Sequence, residues 1–163
     1  MNIIKASPAD IVEVLYLLKV CVLEMNIKGW YHWDMQNHLV KYDIENNSVF
    51  LYKENEVSVG AITLNNEEIA EYKDIKWSHL SNNPLVVHRL LVHPNWREKG
   101  VAKELLVFSE NFAKENGFTS LRLEVFSENQ EAVGLYNQLN YKQQGEIQLH
   151  YQKSPYYCFE KTL

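Results

Sequence analysis

From Val87 to Leu106 the chain reads VHRLLVHPNWREKGVAKELL. Leu85 to Val92 is a continuous, β-branched run suited to one central strand, and His93-Pro94 ends it. Val101 to Lys114 has the apolar spacing of an amphipathic helix, with Asn116-Gly117 as its stop. Between strand and helix lie Arg97, Glu98, Lys99 and Gly100. A helix start exposes unpaired N–H groups and the positive end of the helix dipole, a setting that suits phosphate oxygens. Gly100 lets a ligand approach the backbone closely, and Arg97 and Lys99 add charge. The segment therefore reads as a phosphate or pyrophosphate cradle, or, if its charges are only solvated, as a plain connection.

Working outward, Ile3-Ile4 is a short strand candidate. Ser7-Pro8-Ala9-Asp10 has the marks of a helix start, and Ile11, Leu15, Leu18, Val22 and Met25 follow at helical spacing. A second helix is expected over Gln36 to Glu45. Ser48 to Lys53 and Val57 to Leu64 form a hairpin around Glu54-Asn55-Glu56. Residues 65 to 83 are polar and irregular. Ser120 to Phe126 alternates as a strand, Gln130 to Leu139 is helical, and Tyr141 to Gly145 and Tyr156 to Lys161 are late strands. This order predicts an α/β fold with a mixed central sheet of about seven strands and about four helices. No linker or repeat interrupts it, so residues 1–163 are expected to form a single domain.

Composition narrows the function. Sixteen Lys and Arg against 21 Asp and Glu give a net charge of −5, which does not suggest the broad basic surface of a nucleic-acid binder. No stretch nears the ~18 apolar residues of a membrane span, and no leader pattern precedes Ile3, so a cytoplasmic protein is expected. The two cysteines, Cys21 and Cys158, have no disulfide or metal spacing and read as packed thiols. Six histidines without an H-E-x-x-H pattern predict no metal.

The glycines exclude the G-x-G-x-x-G fingerprint and the G-x-x-x-x-G-K-[ST] loop. HRLLVHPNWREKGVAKELL instead resembles motif A of the GNAT N-acetyltransferases, whose R/Q-x-x-G-x-G/A signature is filled by Arg97, Gly100 and Ala102. LRLEVFSENQEAVGLYNQLNYKQQGE resembles the following strand and motif B through Glu124, Asn129, Ala132, Leu135-Tyr136 and Leu139-Asn140-Tyr141. The detailed likeness covers residues 85 to 146, and the two motifs stand in the family's order. Asn140 departs from the usual glycine but tolerates the same left-handed torsion.

The resemblance implies a GNAT fold and acetyl-CoA as co-substrate. Backbone groups of Glu98, Lys99, Gly100, Val101 and Ala102, with the Arg97 and Lys99 side chains, would hold the pyrophosphate, with Asn129 and Tyr136 also at the cofactor. Leu91 and Val92 would pair with the pantetheine arm along a strand that diverges from its neighbour, and the Val92 N–H would polarise the thioester carbonyl. Transfer to an amine benefits from a base and from an acid for the departing thiolate. Glu124 is the expected base, with pairing to Arg122 or to a backbone amide as its structural alternative. Tyr136 is the expected acid, with core packing as its alternative, and His88 the reserve base, with a hydrogen-bonded structural histidine as its alternative. In the family, the region holding Trp30, Tyr31, Trp33 and Asp34 commonly walls the acceptor site. Those aromatics could hold an ammonium with Asp34 as a counter-charge, and Tyr72 and Trp77 could form an opposite wall; packing is the competing reading for the aromatics.

The expected activity is acetyl transfer to a primary amine, small or peptide-borne, in a ternary complex. An acyl-cysteine route is disfavoured because neither cysteine lies near the motifs. An acyl-CoA-sensing module without turnover is the alternative, as is an enzyme using another acyl group or a hydroxyl acceptor. No nucleic-acid or membrane partner is expected. The tyrosine-rich 151–159 region is compatible with a homodimer and equally with core packing.

Overall fold

The Ser7 N–H donates to Asp10 Oδ2 at 2.8 Å, and the proline after it starts a short 3-10 turn that leads into helix α1, Ile11–Ile27. From this beginning the computed structural model describes residues 2–30, 37–79, 83–149 and 152–163. The chain forms two compact units. The first holds Met1–Leu64 and His88–Phe108, the second Asn65–Val87 and Ser109–Leu163.

The first unit contains β1 (Ile3–Lys5), α1, α2 (Asn37–Glu45), β2 (Val49–Glu54), β3 (Val57–Asn65), β5 (Leu91–Val92) and the start of α3 (Val101–Glu115). Its strands pair antiparallel in the order β1-β2-β3-β5. Asn55 and Glu56, both at positive φ, close the β2–β3 hairpin. One face of α1 supplies Val14, Leu17, Leu18, Cys21 and Val22 to a buried cluster with Val49, Leu51, Ala61 and Leu91. Burying an aliphatic side chain of this size contributes roughly 1.5–3 kcal/mol. Gly60 brings α3 close to β3: a Cβ there would stand 2.7 Å from Val101 Cγ1 and 3.2 Å from Leu105 Cδ1.

The second unit contains β4 (Pro84–Val87), β6 (Ser120–Phe126), α4 (Gln130–Gln138), β7 (Lys142–Ile147), β8 (Tyr156–Thr162) and the end of α3. β4 runs parallel to β6, while β6, β8 and β7 are successively antiparallel. Leu121 and Leu123 point to one face of β6, and Arg122 and Glu124 to the other. The apolar face is sealed by fully buried Phe159, the partner of Leu123 across the ladder.

Two sequence expectations are corrected. The run 85–92 is two strands, with His88, Arg89 and Leu90 outside regular structure, and the described residues hold eight strands, in keeping with the expected mixed sheet of about seven. The break falls where His88 and Arg89 interrupt the apolar pattern; the buried Asp43 carboxylate on α2 pairs with Arg89. The irregular 65–83 segment contains a 3-10 turn, Ala70–Asp74, around fully buried Tyr72. Among the described residues four α-helices are present, as expected, and none is long and apolar enough to cross a membrane.

The Gly60 contact yields the first test. Gly60→Ala forces Val101 to move, and overpacking of this kind typically costs about 1–3 kcal/mol. Calorimetry should show a lowered Tm, with part of the loss recovered in the Gly60→Ala/Val101→Ala double variant.

Candidate active site

In the first unit, the loop before α3 has the backbone form of an anion cradle. Glu98 and Gly100 both adopt positive φ, 58° and 86°, on either side of Lys99. The Glu104 N–H donates to Gly100 O at 2.9 Å, the first bond of the helix ladder. The N–H groups of Val101, Ala102 and Lys103 come before it and have no acceptor within the helix. Nothing lies within 4 Å of the position a Gly100 Cβ would occupy, so the mouth of the loop is open.

The cations are less free than their sequence suggests. The Arg97 guanidinium is ion-paired with Glu24 of α1, a carboxylate that Lys28 also meets at 3.0 Å. The Lys99 ammonium sits over the Trp96 ring, 4.5 Å from its centroid. His93 is a turn residue, its Nδ1 accepting from the Asn95 N–H at 3.2 Å. The backbone donors of the loop are therefore its main uncommitted anion-binding groups.

The register of β5 sets the direction of Val92. The His93 N–H donates to Val59 O at 2.9 Å, and Val92 stands opposite Gly60. In an antiparallel ladder this makes Gly60–Val92 a non-hydrogen-bonded pair, so both backbone groups of Val92 point off the ladder, away from β3. Its carbonyl accepts from the Cys21 S–H at 3.5 Å. Leu91, paired with Ala61, is bonded to β3 and buried. His88 is half-buried, and its N–H donates to Thr63 O at 2.8 Å.

In the second unit, the polar face of β6 and β8 centres on Glu124. The Tyr72 hydroxyl donates to Glu124 Oε2. Cys158 is the direct cross-strand partner of Glu124, and Tyr156 follows two residues before it on the same face of β8. Burial raises the Glu124 carboxyl above its ordinary value; the Tyr72 hydrogen bond opposes this and the Glu71 charge adds to it. Burial and the Glu124 charge together raise the Tyr72, Tyr136 and Tyr156 phenols. They also push the Cys158 thiol up to about 12.

Arg122 does not pair with Glu124. Its Nε donates to Glu160 Oε2 at 2.8 Å, its Nη1 to Glu68 at 3.1 Å and its Nη2 to the His79 carbonyl at 2.9 Å. The guanidinium also stacks 4.4 Å from the Trp77 ring centroid. Trp77 in turn donates its indole N–H to Tyr72 O at 3.1 Å and meets the Tyr72 ring edge-on. Segment 65–79 is thus a strap laid over the polar face of β6 and β8.

Tyr136 is buried on the other face, its ring 5.8 Å from both Phe159 and Tyr141. Asn129 caps α4, accepting from the Ala132 N–H at 3.2 Å. Asn140 takes the left-handed torsion expected of it, φ 63°. Trp30 is half-buried, with the Lys28 ammonium 4.9 Å from its ring centroid. Tyr31, Trp33 and Asp34 lie outside the described residues, as does Tyr151. Tyr72 is 2% exposed, so its ring is core and its hydroxyl serves Glu124.

Both cysteines correct an expectation, since Cys21 contacts Val92 and Cys158 faces Glu124. Sequence reasoning also missed Glu24, Glu68 and Glu160, whose arginine partners are too distant in the chain to show in local pattern. Among the described residues, no cluster of three His, Cys, Asp or Glu could hold a metal.

A family model for the acetyltransferase (GNAT) family matches residues 17–141. Solved structures agree on the fold. A GNAT-family acetyltransferase of Streptococcus agalactiae superposes with TM-score 0.80 at 18% identity, covering 99% of this chain and 94% of its own. A ribosomal-protein-alanine N-acetyltransferase of Brucella melitensis gives 0.74 at 16% identity over all of both chains. Salmonella typhimurium YncA, solved with its cofactor acetyl-CoA, gives 0.72 at 17% identity over 99% of this chain and 93% of its own. No curated protein sequence matches significantly. The motif spacing, the fold and the family match agree: the chain belongs to the GNAT acetyltransferase family, and it is an acyltransferase.

The burial of Glu124 has a consequence for stability. A carboxyl with a raised folded-state pKa favours folding fully below its unfolded value of 4.5, and the gain is lost as pH rises through the folded value. Replacing Glu124 with Gln removes that loss. Urea unfolding at pH 4 and pH 8 should show Glu124→Gln gaining stability relative to the parent at the higher pH.

Proposed function

We propose that the protein is an acetyl-CoA-dependent N-acetyltransferase, a single domain spanning both units, that acetylates a primary amine by direct transfer. The observation that carries this reading is the Glu124 carboxyl, buried beside Cys158 with the Tyr72 hydroxyl donating to it, its pKa raised above its ordinary value by burial. A lysine-like amine, with a pKa near ~10.4, must lose a proton before it attacks, and a carboxylate shifted toward neutrality is a better acceptor than an ordinary one. The acetyl-CoA-bound neighbour and the alanine N-acetyltransferase neighbour support the donor and the acceptor class.

The first unit's residues fit the co-substrate. The N–H groups at Glu98 to Ala102 would take the diphosphate, with Gly100 leaving the approach open. Leu91 and Val92 would line the pantetheine arm, and the Val92 N–H, turned off its ladder, would be a donor to the thioester carbonyl. Acetyl-CoA supplies the acetyl group as an activated thioester. Asn129 would contribute by fixing the start of α4. Trp30, Tyr31, Trp33, Asp34 and Trp77 are the proposed acceptor-side residues.

Glu124 would accept the amine proton, with His88 as the reserve. Tyr136 is read as a hydrogen-bond donor to the leaving sulfur. Its raised pKa keeps it neutral but makes complete proton loss to a thiolate of pKa about 8.5 unfavourable. The thiols support direct transfer for a reason other than distance. Burial pushes Cys21 to about 11 and Cys158 to about 12, so a free thiolate is rarer than roughly one in ten thousand at pH 7.

A thiol-release assay with acetyl-CoA across a panel of amines and N-terminal peptides should show turnover. Glu124→Gln should flatten the acidic limb of the kcat/KM profile, and Tyr136→Phe should lower kcat far more than it weakens acetyl-CoA binding. Calorimetric binding that persists without turnover on the whole panel would favour an acyl-CoA sensor. Unchanged binding in Gly100→Asp would remove the pyrophosphate assignment.

A further inference from the structure

Segment 65–79 is the strongest unexplained device in the molecule. It has little regular structure, yet its anchoring is extensive. Glu68 and the His79 carbonyl both bind the Arg122 guanidinium. The His79 N–H donates to Glu160 Oε1 at 2.8 Å. Ser78 donates its N–H to Gln144 Oε1 at 2.7 Å. Ile75 packs where a Gly145 Cβ would stand only 3.0 Å away. Arg122 and Glu160 are 6% and 2% exposed, so this is a buried ion pair and its geometry is tightly held. From the middle of the strap the Tyr72 hydroxyl reaches β6 as well, and it meets Glu124.

We propose that Tyr72 is a positioning residue for Glu124: its phenol, delivered by the strap anchored on Arg122 and Glu160, fixes the carboxylate as the proton acceptor. The inference rests on the reading of Glu124 as base. A glutamate carboxylate on a strand has three side-chain torsions to set, and one directed donor removes much of that freedom. Trp77 fixes the donor in turn, through its N–H bond to Tyr72 O and its ring contact. The titratable groups around the carboxylate are Tyr72 and Glu71 on the strap, Cys158 and Tyr156 on β8 and Tyr136 on α4. Tyr72 donates a hydrogen bond to Glu124.

The test uses the full chain and two independent readouts. In Tyr72→Phe, the ring stays and the donor goes. Carboxyl-carbon NMR of Glu124, assigned by its loss in Glu124→Gln, should show its titration moving to higher pH, because the hydrogen bond favours the charged form. Steady-state kinetics should show the acidic limb moving the same way, with kcat lowered about tenfold or more and the KM for acetyl-CoA unchanged. Trp77→Phe should produce a smaller change in the same sense. An unmoved Glu124 titration in Tyr72→Phe overturns the proposal. If the titration moves while the acidic limb persists in Glu124→Gln, the base assignment fails and the positioning role falls with it. An equal loss in kcat and acetyl-CoA affinity would mark a merely structural role and also overturn it.

Discussion

Arg89 is a charged residue inside an apolar run, and its guanidinium has to be paired if it is to lie inside the first unit. Asp43 on α2, itself 4% exposed, meets it. A buried pair of this kind is costly to break, typically about 3–5 kcal/mol when one partner is removed. It therefore fixes where residues 88–90 run. β5 then follows β3 with Gly60 opposite Val92, and the absence of a side chain at Gly60 lets Val101 and Leu105 approach. The direction of the Val92 N–H and the seat of the α3 N-terminus both follow from that short stretch. One ion pair and one missing Cβ thus fix the course of β5 and the approach of α3 to β3.

The elements with strong local signals were legible. The helices α1 and α3, the hairpin at Asn55-Glu56 and the order of the motifs follow from spacing and turn chemistry. The break in 85–92 was not, because the pattern there is apolar on both sides of His88-Arg89 and Asp43 lies far back in the chain. The strap was illegible for the same reason. Its polar residues look solvated until Glu68, Tyr72 and His79 find Arg122, Glu124 and Glu160. Arg122 shows the limit most sharply. Local sequence offered Glu124, two residues on, as its partner. The register of β6 on β8 placed Glu160 directly across from it, and cross-strand register has no local signature.

The cysteines carry a related lesson. Their distance from the motifs in sequence was an argument against covalent catalysis, and that argument fails because both thiols touch the site's elements. The conclusion rests instead on burial. Cys158 lies fully buried beside the Glu124 carboxylate, and Cys21 is buried with a sulfur that donates to Val92 O. A nucleophilic thiol needs an electropositive, accessible setting, whereas the low dielectric around both, and the carboxylate beside Cys158, act in the opposite direction.

β6 and β8 divide their two faces between different tasks. One face is closed by Leu121, Leu123, Phe159 and the Tyr136 ring, and it gives α4 a rigid seat. The other gathers Arg122, Glu160, Glu124 and the strap. Every polar side chain buried there must be satisfied, and an unsatisfied charge in such a place costs several kcal/mol. Arg122 meets this demand through Glu160, Glu68 and the His79 carbonyl, leaving Glu124 with Tyr72 and no cation. Had Arg122 paired with Glu124, the carboxylate would have been held well ionised and weakly basic. Delivering the guanidinium to Glu160 instead leaves a carboxyl whose pKa burial raises against the opposing Tyr72 hydrogen bond.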